Sequence, residues 1–416
     1  MKTAWQWMQA RAPELLIIVF LALLPLDEAM HAPVVVLLVV FWVQLFKRQI
    51  PLTAPLKGYL LCCLLLLIPM ALSLTVAIEF HDLVQEIVRW SLYMLAGIAI
   101  IVWFQERLYA EVLVYGIAAV LLLWSFDALI QYGVGSNLLG FEYNGSRVTG
   151  VFHPNMRIGN MLAHWSPFLF EALRRYSAGR STRAWVWLLV LPLIAVILLS
   201  GSRGAWLVML VNLPLYALYL MYTKVIRWKL LLAAVATLVV SVAVVVQSSS
   251  QMTNRFQASL GFLTADVEQM NRASSGRIPI WQDGWGVFQN NPLLGVGVGN
   301  IHHHYPQVEN YQGSVSSHIH LYGLDVLIFT GVVGFVFYLG FLAVNLGFWW
   351  RFSREGHHLA FISGLAVLLM SMPINVHWGF YTLRSGSLMI LFLAMAFGVY
   401  SHYSAKRSET VPQIGP

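Results

Sequence analysis

Apolar runs recur along almost the whole chain, and a single long polar interval, about Gln247 to Ser317, interrupts them. About 20 apolar residues carry a helix across the hydrocarbon core of a bilayer, so the pattern predicts about twelve transmembrane helices. They are read at 14–26, 32–46, 57–77, 83–104, 109–131, 153–172, 184–201, 203–222, 227–247, 319–349, 357–374 and 384–402. Pro25, Pro51, Pro55, Pro154 and Pro373 lie at or near these boundaries, where a missing amide hydrogen costs least. The 319–349 run reads as one long tilted helix. The polar interval, 248–318, reads as an insertion between the ninth and tenth spans that carries short helices of its own.

Composition agrees with this pattern. Of 416 residues 59% are hydrophobic and 10% charged, with mean hydropathy +0.70, whereas soluble domains carry about 25% charged residues. The expected fold class is an all-α integral membrane protein, 1–416 forming a single polytopic domain with membrane lipids around it and no nucleic-acid partner. Cys62 and Cys63 are adjacent inside an apolar run and read as small buried hydrophobes. Lys2 and Arg11 before Leu15–Leu24 imitate a secretory signal, but a second span follows at once, which favours a short first transmembrane helix.

Charge orients the spans. With the N-terminus inside, the short inner loops hold Lys47, Arg48 and Lys57; Arg107; Arg174, Arg175, Arg180 and Arg183; Lys224, Arg227 and Lys229; Arg351 and Arg354; and Lys406 and Arg407. Each even-numbered exit then obeys the cytoplasmic bias toward Lys and Arg. The outer face and outer helix ends are left with Arg89, Arg147, Arg157, Arg203, Arg255, Arg272, Arg277 and Arg384, all of them arginine. Arginine offers a planar fork of donors matched to phosphate oxygens and stays charged in a partly dry site. As a set these residues point to an outward-facing site for a phosphorylated lipid. Each also has an ordinary explanation in pairing with Glu79, Glu86 or Asp283; Glu86 and Arg89, three apart, suit a local helical pair.

Several motifs sharpen the picture. Asn144-Gly-Ser-Arg147-Val-Thr-Gly-Val-Phe-His153-Pro-Asn155 forms an outer loop, and Gly201-Ser-Arg203-Gly-Ala-Trp206 a tight outer turn whose glycines let a ligand approach the backbone. Ser275-Gly-Arg277-Ile-Pro-Ile-Trp281 opens a surface helix with Trp281 and Trp285 four apart, a stripe that suits the bilayer interface. Pro292-Leu-Leu-Gly295-Val-Gly297 follows, then Ser317-His318-Ile-His320 at the mouth of the tenth span, with Gly331 eleven residues beyond. Gly295-Val-Gly297-Val-Gly299 lacks the strand–helix–strand context of a dinucleotide loop.

Taken together, the Ser-Arg-Gly turn, the Arg-x-x-x-Trp segment leading to Pro-Leu-x-Gly-x-Gly, and the His-x-His run ending at Gly331 resemble the O-antigen ligase and O-antigen polymerase superfamily of bacterial envelope glycosyltransferases. The resemblance runs from about Asn144 to Gly334. One position departs: members often carry asparagine after the second histidine, and here it is Leu321. The resemblance implies a GT-C-like all-helical architecture with a periplasmic helical loop domain between spans 9 and 10. It implies transfer of finished O-antigen from undecaprenyl pyrophosphate to a sugar hydroxyl of lipid A-core. The active site would face the periplasm, in a multi-pass protein of the bacterial inner membrane.

The residues suit that reaction. An acceptor hydroxyl is a poor nucleophile and gains from a base with pKa near the working pH, which histidine supplies. Fixed arginines stabilise the charge that develops on a leaving diphosphate. His320 is the expected general base, with Arg203 and Arg277 gripping the pyrophosphate and Arg147 in support. Arg157, Arg89, Trp281 and His318 are expected to contribute to substrate binding. The side chain of His318 is expected to point away from that of His320, two positions on.

Rival readings attach to the same residues. His320 also suits a histidine satisfied by a carbonyl at a helix start. His302, His303 and His304 with His318 and His320 could form a metal cluster, but no helical or paired spacing supports it; Asp266-Val-Glu268 resembles acidic pairs that hold a divalent ion, but it is a single pair and the arginines already do an ion's electrostatic work. No metal or cofactor is expected. Asp325 lies inside the tenth span, where a carboxylate is expensive, and could tune the base or pair with an arginine. A polymerase would use the same lipid-linked donor with another lipid-linked repeat as acceptor. A lipid-linked oligosaccharide transporter predicts mid-membrane ionisable groups and inverted repeats, and no repeat is visible.

Overall fold

The computed structural model describes residues 6–410 except Gln9, Arg227, 229–231, 233–234, 237–238, 241–242, 244–246, 248–249, Ala265, 306–317 and 376–378. The ninth expected span, 227–247, therefore lies largely outside the described residues, as does Ser317. Among the described residues the regular structure is helical, apart from one isolated bridge between Ser136 and Glu142. Eight of the described helices are long and apolar enough to cross a membrane. Ala12–Leu26 and His358–Met370 are apolar but shorter. This is an all-helical, multi-pass membrane protein. The chain divides into two compact units, 1–31 with 109–275, and 32–108 with 276–416.

The first unit contains α1 (Ala12–Leu23), α5 (Ala110–Val134), α6 (Ile158–Ser177), α7 (Val190–Leu199), α8 (Arg203–Tyr222), α9 (Ser250–Ser259) and α10 (Val267–Ala273). Helix α6 packs against α5, α7 and α8, and every residue from Ile158 to Leu173 is buried. That burial explains why α6 carries Asn160, His164, Ser166 and Glu171 where a lipid-facing helix would not. Each finds a partner inside the protein. Asn160 Nδ2 donates to Ser202 Oγ at 2.7 Å, and Glu171 binds Arg174 at 2.7 Å, Arg175 at 2.8 Å and the Tyr216 hydroxyl at 3.0 Å. Pro167 cannot donate to the carbonyl four residues earlier. That carbonyl, on Ala163, instead accepts from Asn212 Nδ2 at 2.9 Å and the Ser166 hydroxyl at 3.0 Å.

The second unit contains α2 (Ala32–Phe46), α3 (Ala54–Ser73), α4 (Phe80–Glu106), α11 (Ile278–Asn290), α12 (Tyr322–Arg354), α13 (His358–Met370) and α14 (Leu383–Thr410). Helix α14 lies against α3, α4 and α13. Small residues permit the close approach: a Cβ on Gly97 would stand 2.8 Å from Ala394 Cβ, and one on Gly398 2.9 Å from the Phe104 ring.

The expected long helix at 319–349 is not continuous. Gly331, with φ 66° and ψ −168°, interrupts α12 in a conformation that essentially only glycine tolerates. The break frees backbone groups, and the segment 292–297 takes them. Ile328 and Phe329 carbonyls accept from the amides of Val296 at 2.9 Å and Gly297 at 3.0 Å. Beyond the break, the amides of Val332 and Val333 donate to Pro292 at 2.8 Å and Leu293 at 3.2 Å. The glycine-rich segment is thus spliced into a helix. A Cβ at Gly331 would stand 2.1 Å from the Leu293 carbonyl oxygen, and one at Gly295 2.4 Å from that of Ile328. Gly331→Ala is expected to destabilise the protein by at least the roughly 1–3 kcal/mol of such backbone strain; an unchanged melting temperature in detergent would refute the splice.

Candidate active site

In the first unit the loop after α5 is fastened to that helix. Asp127 accepts from Asn137 Nδ2 at 3.0 Å and the Leu138 amide at 3.1 Å, and Gln131 Oε1 accepts from the amides of Thr149 at 2.9 Å and Gly150 at 2.8 Å. This holds the turn in which Asn144 Oδ1 accepts from the amides of Ser146 and Arg147. Arg147 reaches Met156 Sδ at 3.2 Å, and Arg157 stands at the N-cap of α6.

Arg203 opens α8, after Ser202, whose hydroxyl caps the Ala205 amide at 3.4 Å. Arg203 Nη1 donates to the carbonyls of Arg272, at 2.6 Å, and Ala273, which end α10. Arg255 completes the cluster. Its Nη2 donates to Ser146 Oγ at 3.2 Å, while its Nη1 is buried without a partner among the described residues. Gly201, at φ +61°, makes room for it: a Cβ there would stand 1.7 Å from Arg255 Nη1 and 3.6 Å from Arg147 Cγ. Burial pushes the Arg255 guanidinium below its ordinary pKa. The structure therefore gathers Arg147, Arg203 and Arg255 around one glycine, with carbonyls and a hydroxyl as the partners of Arg203 and Arg255. Such a cluster keeps its positive charge and suits a multiply charged anion.

In the second unit, Arg277 stands at the N-cap of α11, following Ser275 and Gly276, both with positive φ. Trp281 does not lie along a bilayer-facing stripe with Trp285. Its indole turns inward and donates to the Ile319 carbonyl at 3.1 Å, whereas Trp285 is 47% exposed. Ile319 is fully buried between the two histidines and packs on Gly284, where a Cβ would stand 2.9 Å from Ile319 Cδ1.

The histidines do not point apart. The rings of His318 and His320 meet edge to face with centroids 4.2 Å apart. Residues two apart diverge on a helix, but both histidines precede α12, which begins at Tyr322, and His320 adopts φ +56°. His318 also lies against Gly379, where a Cβ would be 2.6 Å from His318 Cβ. Asp325 pairs with no arginine among the described residues. It accepts the Ile319 amide at 2.8 Å and the Phe380 amide at 3.0 Å.

Other sequence candidates have different surroundings. Arg89 is held by Glu86 at 2.8 Å and Gln85 at 3.3 Å on its own helix. Asp266 caps α10 through the Glu268 amide at 2.9 Å, and Glu268 pairs with Arg272. His303 faces Glu79 at 3.4 Å, and among the described residues no group of three or more His, Cys, Asp or Glu is arranged to hold a metal. Arg255 was legible only as one outward arginine of eight. Its place under Gly201 leaves no sequence signal, because α9 lies some fifty residues downstream.

Residues 188–339 match a protein-family model described as O-antigen ligase. Over that stretch the chain is similar to the O-antigen ligase family. The stretch runs from the start of α7 to beyond the break in α12, so it holds Arg203, Arg255, Arg277, Trp281, His318 and His320 but not Arg89, Arg147 or Arg157. A search of curated proteins finds no match. The chain is thus a multi-pass membrane protein with this similarity over residues 188–339.

Burial, and after it the Arg277 guanidinium, holds His318 below the ordinary histidine pKa. The fold favours the neutral ring. Its contribution to stability is complete above about pH 6.5 and is lost as pH falls from there toward the lowered folded value. Diethyl pyrocarbonate attacks neutral imidazole, so modification of His318, read by peptide mass spectrometry, should persist to lower pH than that of an exposed histidine. Arg277→Gln should raise the midpoint; an unmoved midpoint would separate Arg277 from His318.

Proposed function

We propose that this chain is an O-antigen ligase: it transfers finished O-antigen polysaccharide from undecaprenyl pyrophosphate to a sugar hydroxyl of lipid A-core. The acceptor oxygen bonds to the anomeric carbon as the bond from that carbon to the diphosphate oxygen breaks. The hydroxyl proton passes to His320, and the electron pair leaves on the diphosphate. One displacement of this kind inverts the anomeric centre. Arg203 and Arg277 take up the charge on the diphosphate, with Arg147 in support, and Arg157, Arg89, Trp281 and His318 bind substrate. Guanidinium groups supply the electrostatic stabilisation in this reading, without a metal.

The observation that carries the proposal is the edge-to-face histidine pair, with Arg277 acting on His318, inside the family-matched stretch. A ring kept neutral beside the base suits a site that must accept a proton. The arrangement in the membrane belongs to the same proposal. Twelve spans in a GT-C-like order, with 248–318 as a periplasmic helical loop, put this chemistry on the outer side of the inner membrane, as the distribution of Lys and Arg supports.

His320→Ala is expected to lower transfer to lipid A-core in vitro by about 10²–10⁴-fold, the range of a lost general base, with chelator present throughout to test for a metal. Undiminished transfer by a folded variant refutes the assignment. In cells the variant should accumulate long polymer on its lipid carrier; accumulation of single repeats would instead identify a polymerase, the second reading that the family permits. Arg255→Ala should raise the KM for the lipid-linked donor roughly tenfold, about 1.4 kcal/mol, and an unchanged KM would remove Arg255 from the anion cluster.

A further inference from the structure

Asp325 is fully buried in α12, one turn from the histidines. A carboxylate in an apolar span is costly and persists where it is fully engaged. This one does not meet a cation among the described residues. Its Oδ1 accepts the Ile319 amide at 2.8 Å, and its Oδ2 accepts the Phe380 amide at 3.0 Å. The two amides belong to segments 55 residues apart in sequence.

Both segments bear directly on the histidines. Ile319 separates His318 from His320, and its carbonyl is held from the other side by the Trp281 indole at 3.1 Å. Its two backbone polar groups are thus fixed by side chains, which is how His320 can persist at φ +56° in a region that non-glycine residues seldom occupy. Phe380 follows Gly379, the residue whose bare Cα forms the wall against His318. The carbonyls of Pro373, at 2.8 Å, and Asn375, at 3.1 Å, accept from the first amides of α12, those of Gly323 and Tyr322. Those amides are therefore engaged, and the helix start is joined to the segment behind the histidines.

We infer that Asp325 is the positioning residue of the His318–His320 pair, its two carboxylate oxygens tying the segment that carries both rings to the segment that walls His318. Only a side chain with two acceptors can do this. Asparagine has the same shape, but its NH2 would turn toward one of the two amides, donor against donor. The inference rests on His320 being the base, and its test is chosen so that the two ideas fail separately.

The test is steady-state transfer by full-length Asp325→Asn in detergent or nanodiscs, with lipid-linked donor and lipid A-core acceptor, alongside His320→Ala and the double variant. Asp325→Asn should lose about 10- to 100-fold in kcat, the scale of a small misplacement of reacting groups, with the KM for donor within about twofold of the parent. The double variant should lose no more than His320→Ala alone. Parental kcat in Asp325→Asn, or losses that multiply in the double variant, overturn the inference. An active His320→Ala enzyme overturns the base assignment instead. Should Asp325→Asn not fold, Asp325→Glu, which keeps two acceptors but displaces them by one methylene, is expected to fold and to lose kcat; parental kcat there also overturns the inference.

Discussion

A helix surrounded by apolar groups cannot be interrupted unless new partners meet the backbone groups that the interruption frees. The break at Gly331 is met by 292–297, four amide–carbonyl bonds between the glycine-rich segment and α12. This splice fixes where α11 ends. Helix α11 carries Arg277 at its start and Trp281 one turn in, and the Trp281 indole then holds the Ile319 carbonyl. Ile319 leads back into α12. The chain thus closes a circuit in which α11 is tied at its far end to the middle of α12 and at its near end to the residues just before it. The histidines lie inside that circuit, so their geometry is inherited from backbone hydrogen bonds and not from a regular helix or strand.

Charge is handled differently among the arginines. Glu171 neutralises Arg174 and Arg175, Glu355 meets Arg351 at 3.9 Å and Arg407 at 2.8 Å, and Glu86 meets Arg89. Arg203 and Arg255 instead meet carbonyl and hydroxyl oxygens. Neutral acceptors orient a guanidinium without cancelling its charge, so these two groups are placed yet keep their attraction for an anion. The carboxylate that stands nearest the histidines in sequence, Asp325, is turned to two backbone amides.

Much of this was legible from the order of residues. The apolar runs mark the helices because twenty apolar residues have few other uses, and the Glu86–Arg89 pair followed from helical spacing alone. The arginine and histidine motifs were legible as types suited to diphosphate and hydroxyl chemistry. What was not legible depends on backbone torsions and on contacts across long sequence separations. The run 319–349 is apolar on both sides of Gly331, so periodicity gives no sign of the break. Trp281 and Trp285 share a spacing that fits an interface stripe equally well, and only the position of Ile319 turns one of them inward. His318 and His320 were expected to diverge, as residues two apart on a helix do; the helix in fact starts after both, at Tyr322, and His320 takes a positive φ.

That reversal bears on how a base could work here. Two imidazoles in contact cannot both be charged without repulsion, so a proton taken up by one is opposed if the other already carries one. Burial and Arg277 keep His318 neutral to lower pH than an ordinary histidine. On the proposed mechanism the proton leaving the acceptor hydroxyl therefore arrives at His320 beside an uncharged ring, at the moment the diphosphate gains negative charge. Were the rings splayed apart, as helical backbone would have them, His318 could do nothing for the base. Held at 4.2 Å, it provides a polar neighbour that does not compete for the proton, and the irregular backbone at His320 acquires a chemical reason to exist.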